Sequence, residues 1–224
     1  MDWATLEVRR EGPVGWIIFD RPDAGNAIDA AMFDELERAW SAMEADDAVR
    51  VVVNTGNGRT FQTGLDVVQL ARDKEALRES SRRTRDFTLR MTGWHCGVTK
   101  PVIAAVNGTC AGGGLHFVAD ADLVIAGERA TFLDPHVRVG QVSAFETTGL
   151  LKKAPAESVL RMALVGGEER LSAHRAHQLG IVGEVVPDAE LRDRAEAMAE
   201  AIAAESADAL AMVKAAAWER LERP

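Results

Sequence analysis

Three consecutive glycines, Gly112, Gly113 and Gly114, follow the apolar run Val102 to Val106 and lead into Leu115-His116. Glycines after a buried strand permit a tight turn and close backbone approach, and a helix that starts there offers unpaired N–H groups and a positive dipole end. Such a turn suits an electron-rich group, either a phosphate or a carbonyl oxygen that gains charge during reaction. No Gly-Lys-Ser/Thr follows, and Gly108-Thr109-Cys110 breaks a G-x-G-x-x-G pattern, so the spacing is neither a P-loop nor a dinucleotide fingerprint. The competing reading is that the glycines only let a helix pack on a strand. The chain has no tyrosine, which removes one common acid and oxyanion donor and gives its histidines more weight. His174 and His177 have the spacing of a metal pair on a helix, but Arg170, Arg175 and Gln178 around them predict a surface helix, and no third ligand lies near in sequence. No metal site is expected.

The elements that must position such a turn follow from periodicity. Leu6, Val8 and then Val14, Trp16, Ile18 alternate on either side of Glu11-Gly12-Pro13, which predicts a hairpin. A loop from Arg21 to Asn26 leads to Asp29, an N-cap for a helix carrying Met32, Phe33, Leu36, Trp40 and Met43 and ending near 45–47. Val49 to Val53, Val102 to Val106 and Leu123 to Ala126 read as strands, and 73–90 as a solvated helix. This rhythm is that of an α/β fold, a parallel or mixed sheet covered by helices. From Thr147 onward Ala, Leu, Glu and Arg dominate, Gly166-Gly167 and Gly180 stop helices, and the last 35 residues read as two amphipathic helices. The expected division is a core over 1–146 and a C-terminal helical region over 147–224.

With 47% hydrophobic residues the chain can bury a core, yet its apolar runs are far shorter than the roughly 20 residues that cross a bilayer. A net charge of −9 opposes binding to a polyanion. Neither a membrane nor a nucleic acid is an expected partner. The opening Met-Asp-Trp-Ala-Thr lacks the layout of a secretory signal, so a cytoplasmic protein is the expectation. Cys96 and Cys110 form no C-x-x-C pair and read as buried thiols.

Phe61-Gln62-Thr63-Gly64-Leu65-Asp66, followed by Ala105-Val106-Asn107-Gly108 and Ala111-Gly112-Gly113-Gly114, resembles the crotonase superfamily, also called the enoyl-CoA hydratase/isomerase family. Arg21-Pro22 with Asn26-Ala27-Ile28, Lys100 to Val106, Asp122 to Ala126, and Leu171-Ser172-Ala173 through Leu179-Gly180-Ile181-Val182 resemble further landmarks, so the likeness spans nearly the whole chain. It implies a crotonase-like spiral of ββα units, a C-terminal region that builds a homotrimer or hexamer, and an acyl-CoA thioester as substrate. Coenzyme A then enters as part of the substrate and not as a permanently bound cofactor. Two backbone N–H groups are implied to polarise the thioester carbonyl as an oxyanion hole, those of Thr63 and Gly113. Contacts to coenzyme A are implied at Ala24, Ala27, Leu65, Asp66 and Gly112.

Hydratases of this family use two glutamates, and at the corresponding positions this chain has His116 and His136. Imidazole, with an ordinary pKa of about 6.5, suits a base near neutral pH. Two neutral histidines repel an enolate less than paired glutamates do, which favours reactions that build enolate charge, such as retro-Claisen cleavage. The superfamily's β-diketone hydrolases resemble this chain in using histidines, with an acidic residue nine or ten positions after the second. Glu146 stands ten positions after His136 and is the third catalytic candidate; its alternative is a solvated or capping glutamate, and Asp134 competes for the same task. His95, beside Trp94 and Cys96, reads as part of a half-buried aromatic cluster, with the acyl-pocket wall as the less favoured reading. Three functions thus stand open: an enoyl-CoA hydratase/isomerase-like lyase, a histidine-dependent C–C hydrolase, and a non-catalytic acyl-CoA-binding relative. The C-terminal region is expected to be shortened relative to the family, and its apolar positions Leu191, Ala195, Met198, Ile202, Leu210, Val213 and Trp218 to need a partner surface.

Overall fold

A computed structural model describes residues 2–68, 75, 90–143 and 145–222. The expected hairpin is β1 (Leu6–Glu11) and β2 (Val14–Phe19), antiparallel with Leu6 opposite Phe19. It begins a six-stranded sheet that continues through β3 (Val51–Gly56), β5 (Val102–Val106), β7 (Leu123–Gly127) and β10 (Glu184–Val186), all parallel to β2. A second sheet orders β4 (Thr60–Gln62), β6 (Thr109–Ala111), β8 (Thr131–Leu133) and β9 (Leu171–Ser172), with only β9 antiparallel. The chain steps from the first sheet to the second at β3 to β4, again at β5 to β6, and again at β7 to β8. Helices α2 (Leu115–Ala119) and α3 (Phe145–Leu150) follow the last two steps, giving the ββα rhythm of the crotonase-type α/β fold.

Helix α1 (Ala30–Ala45) starts where the sequence places its cap: Asp29 Oδ1 accepts the Met32 N–H at 2.8 Å. Its buried face, Met32, Leu36, Ala39, Trp40 and Met43, joins Phe19, Phe61 and Phe117, whose rings meet edge to face, in one core. The strand expected at 49–53 instead runs from Val51 to Gly56. Val49 belongs to the turn, its N–H donating to Asp46 O, while the polar Asn54 and Thr55 stay in the strand because their side chains donate to Ile17 O and Ala105 O. Buried polar groups are cheap when bonded this way, and a periodicity reading stops too early at them. The helix expected over 73–90 lies outside the described residues apart from Glu75 and Arg90.

Beyond α3 come α4 (Ala156–Val165), α5 (Ala173–Gln178), α6 (Leu191–Ala203) and α7 (Ala207–Glu222). The same stretch also supplies β9 and β10, two- and three-residue strands too short to leave a period in sequence. His174 and His177 sit exposed on α5, as the surface-helix reading expects. Helix α6 lays Leu191, Ala195, Ala199 and Ala203 on the far face of the six-stranded sheet, against Val53 and Ile103. Helix α7 is tied down by Asp122, which accepts the Trp218 indole N–H at 2.6 Å and pairs with Lys214 at 2.9 Å. The Lys152 ammonium stands over both Trp94 and Trp218, 5.4 and 5.0 Å from the ring centres. Cys110 is buried and Cys96 half-buried, both as free thiols. Among the described residues no helix is long and apolar enough to cross a membrane.

Candidate active site

The two glycine turns meet at the ends of β4 and β6, which lie parallel in the second sheet. Gly64 and Gly112 both take positive φ, +88° and +52°. A Cβ on Gly64 would stand 2.9 Å from Gly113 N, and one on Gly114 only 2.3 Å from Gln62 O. The turns therefore touch backbone to backbone because neither carries a side chain. Asn26, fully buried with φ +58°, braces them: its amide nitrogen reaches the carbonyls of Asn57, Thr60 and Phe61, and its oxygen accepts the Arg21 N–H. Gln62 donates to Asn26 O and accepts the Gly64 N–H. Asp66 N donates to Ile28 O, so Leu65 N lies between two committed neighbours, 3.8 Å from the Cβ position of Gly113 and nearer to it than any atom of Thr63. Thr63 turns its hydroxyl to Gly25 O at 2.9 Å.

These turns form one wall of a cavity of about 360 Å³, bounded by Thr63, Gly64, Leu65, Val67, Gly112, Gly113, Pro135, His136, Val139 and Gln141. His136 lines the same cavity and heads a row of titratable side chains that runs behind the lining. His136 Nδ1 lies 2.6 Å from Asp134 Oδ1, and His136 Nε2 lies 3.4 Å from Glu146 Oε1. Glu146 Oε1 is also 3.8 Å from His116 Nε2, so one carboxylate oxygen faces both imidazoles. The ring of His116 in turn meets that of His95, centre to centre at 5.4 Å.

Burial alone would strip charge from His136, but the Asp134 hydrogen bond and the charges of Glu146 and Asp134 outweigh it and hold its pKa above the ordinary value. Burial likewise pushes Asp134 up, and hydrogen bonds from His136, Ser143 and Thr147 overcome it, leaving the carboxyl at about 2. Glu146 is raised, chiefly by desolvation, against backbone N–H groups at its own helix start. His116 falls to about 4, through burial first and the neighbouring His136 charge second. Environments that separate two imidazoles in this way are typical of sites that move protons.

Of the expected site residues, Thr63, Leu65, Gly112, Gly113 and His136 share the cavity. Glu146 is buried behind His136, not solvated, while its second oxygen accepts the Phe145 N–H at 3.2 Å. The orienting partner of His136 Nδ1 is Asp134, two residues upstream. His116 lies deeper, 4% exposed and outside the cavity lining. Ala24, Ala27 and Asp66 stand on the neighbouring loop, where Asp66 pairs with Arg21 at 3.0 Å. Sequence reasoning missed Gln62 and Thr147, whose hydroxyl donates to Asp134 Oδ2 at 2.7 Å, and the grouping of His95 and His116 with Asp120. Only the Asp-Pro-His spacing of 134–136 carried a local hint.

Comparison with known proteins agrees with this geometry. The profile of the enoyl-CoA hydratase/isomerase family matches residues 9–224. A probable enoyl-CoA hydratase of Rhizobium meliloti is 32% identical over 99% of this chain and 84% of its own length. The (E)-benzylidenesuccinyl-CoA hydratase of Thauera aromatica is 34% identical over 89% of this chain and 75% of its own. The crystal structure of an enoyl-CoA hydratase/isomerase from Mycobacterium paratuberculosis superposes with a TM-score of 0.87 at 36% identity, covering 100% of this chain and 85% of that one. Paired glycine turns, the sheet-to-sheet stepping and these matches together establish that the chain belongs to the enoyl-CoA hydratase/isomerase family.

Proposed function

We propose that this chain is an enzyme acting on an acyl-CoA thioester, with the thioester carbonyl held at the N–H groups of Leu65 and Gly113 and His136 as general base. The observation that carries the reading is the position of His136 over the glycine turn: its Cε1 and Nε2 lie 3.4 and 3.8 Å from the Cβ position of Gly112. The base thus stands beside the place where enolate charge would gather. Each backbone donor there is worth roughly a hundred- to a thousandfold in rate. Leu65 takes the donor role in place of Thr63 because its nitrogen lies beside Gly113. Asp134 fixes the Nδ1–H tautomer, so Nε2 accepts the proton, and Glu146 receives the imidazolium. Coenzyme A runs past Ala24, Ala27 and Gly112, on a loop that the Arg21–Asp66 pair braces. Thermal unfolding with acyl-CoAs of several lengths tests this. A ligand at 100 times its dissociation constant adds about 2.7 kcal/mol, and no shift at any length removes the acyl-CoA reading.

A second reading rests on the Asp134–His136 pair, which suits activation of water better than a lone carboxylate does. In retro-Claisen hydrolysis that water adds to a ketone carbon and the C–C bond breaks. The bonding pair leaves as an enolate into the oxyanion hole, and protonation of the enolate completes an acid and a ketone. Crotonyl-CoA assayed beside cyclic and linear β-diketones separates the two readings. Assembly as a trimer or hexamer belongs to the same proposal, since Val139 and Val142 near the cavity and Leu164 on α4 are exposed apolar groups that a second subunit would cover. A stable monomer by light scattering at micromolar concentration removes that part.

A further inference from the structure

Behind the active-site cavity, His95, His116 and Asp120 bring one ligand atom each to within 4.8 Å of one another. They come from three places: the segment after residue 90, the helix α2, and the residue just beyond its end. Thr92 organises the group. Its hydroxyl donates to Asp120 Oδ2 at 2.8 Å, and the same oxygen accepts the His95 N–H at 3.2 Å. A hydroxyl has one proton to give, already spent on Asp120, so its contact with His95 Nδ1 at 2.9 Å is one in which Nδ1 carries the hydrogen. The tautomer is thereby set, and His95 Nε2 presents a lone pair 3.9 Å from Asp120 Oδ2. Two acceptor atoms face each other, with a second imidazole beside them, in an interior from which water is largely excluded. Such an arrangement calls for a positive charge at its centre.

We propose that His95, His116 and Asp120 form a binding site for a divalent d-block cation, with zinc as its best-suited occupant. Two imidazoles and one carboxylate are a donor set of the open, three-ligand kind, whereas magnesium and calcium seek oxygen ligands. Zinc–ligand distances of about 2.0–2.1 Å place tetrahedral donors about 3.3 Å apart, so each ligand moves inward by roughly 0.3–0.9 Å, within reach of side-chain rotation. Thr92 fills the outer-shell role, holding the non-ligating nitrogen of His95 and one oxygen of Asp120. The site shares one residue with the row that runs to His136, and it does not depend on the acyl-CoA reading. His116 belongs to both, so a bound ion would hold that imidazole in place behind Glu146.

The test is isothermal titration of the metal-free protein with Zn²⁺, joined to the visible spectrum of the Co²⁺-loaded form. Expected is one ion per chain, Co²⁺ bands of a four-coordinate site, and no saturable binding of Mg²⁺. His95→Ala or Asp120→Asn should weaken zinc by about a hundredfold or more, and Thr92→Val by about ten- to a hundredfold. His177→Ala, on the exposed α5 pair, should leave affinity unchanged. Circular dichroism separates loss of the site from loss of the fold, and Thr92→Val keeps the question answerable if a ligand variant unfolds. Absence of stoichiometric binding, or affinity that follows His177 and ignores His95, overturns the proposal and leaves the cluster a proton-sharing network.

Discussion

The two walls of the cavity are built by different physics. One is backbone: the Gly64 and Gly112–Gly114 turns, locked by Asn26 and Gln62, with donors whose positions cannot change unless the chain moves. The other presents His136, backed by the buried side chains of Asp134, Glu146 and His116, whose protonation depends on burial and on each other's charge. The first wall is set by sterics and has no room for a Cβ at Gly64 or Gly114. The second holds its chemistry in protonation states that a substitution alters. Damage to the first should appear as lost stability, and damage to the second as lost rate.

The sharpest break of this contrast is His136→Ala. It should lower kcat by about a hundred- to ten-thousandfold on whichever substrate the screen identifies, with a stability loss no larger than the about 1.5–3 kcal/mol of its charged hydrogen bond to Asp134. Gly114→Ala should act on stability first. Its Cβ would meet Gln62 O at 2.3 Å, so the turn must shift, at a cost of about 1–3 kcal/mol in urea unfolding.

The backbone wall was legible in the sequence because glycine and asparagine are dictated by local geometry: Gly64, Gly112 and Asn26 sit at left-handed φ and announce themselves as residue types. The side-chain wall was legible only where partners are close in sequence, as with Asp134 and His136. Nothing in the chain's pattern says that Glu146 is buried, or that His95 meets His116, because those contacts are created by the stacking of α2 and α3 on the sheets. The sequence points to Thr63 through its place before Gly64, whereas the nearness of Leu65 N to Gly113, on which the proposed donor rests, leaves no mark in the motif. The position of that N–H is held by the bridge between Ile28 and Leu65, which joins residues far apart in sequence.

Asp134→Asn sharpens the comparison from the rate side and has a smaller expected effect. As base, His136 must be neutral, so activity should fall on the acid side with an apparent pKa above 6.5, its ordinary value, because its pKa is raised. Replacing Asp134 should move that limb down toward 6.5 and cost about 1.5–3 kcal/mol of stability for the lost charged hydrogen bond. A limb that does not move would assign the titration to another group. The same shift sets a stability trend. A raised pKa in the folded state means that the contribution of His136 is complete below about pH 6.5 and fades as pH rises through the folded value. The stability gap between the parent and His136→Gln should therefore narrow on the alkaline side. The smallest effect on rate is expected of Arg21→Gln, which loses the pairs with Asp29 and Asp66 and the bond to Ala27 O; it should cost about 1–3 kcal/mol, with a larger change in the KM for an acyl-CoA than in kcat.

The stack of Trp94, Lys152 and Trp218 gives the protein an optical property. Without tyrosine, its near-ultraviolet emission comes from tryptophan alone. Trp16 and Trp40 are sealed in the cores and report only global unfolding. Trp218 rides on α7 and shares the Lys152 ammonium with Trp94, whose ring stands edge-on to His95 at 5.5 Å. Release of the last helix should expose Trp218 and shift its emission to the red, whereas a proton arriving at His95 should quench Trp94, and Trp3, under the Arg38 guanidinium, adds a background that neither event touches. Fluorescence thus separates detachment of the C-terminal helix from events at the histidine cluster, with no label added.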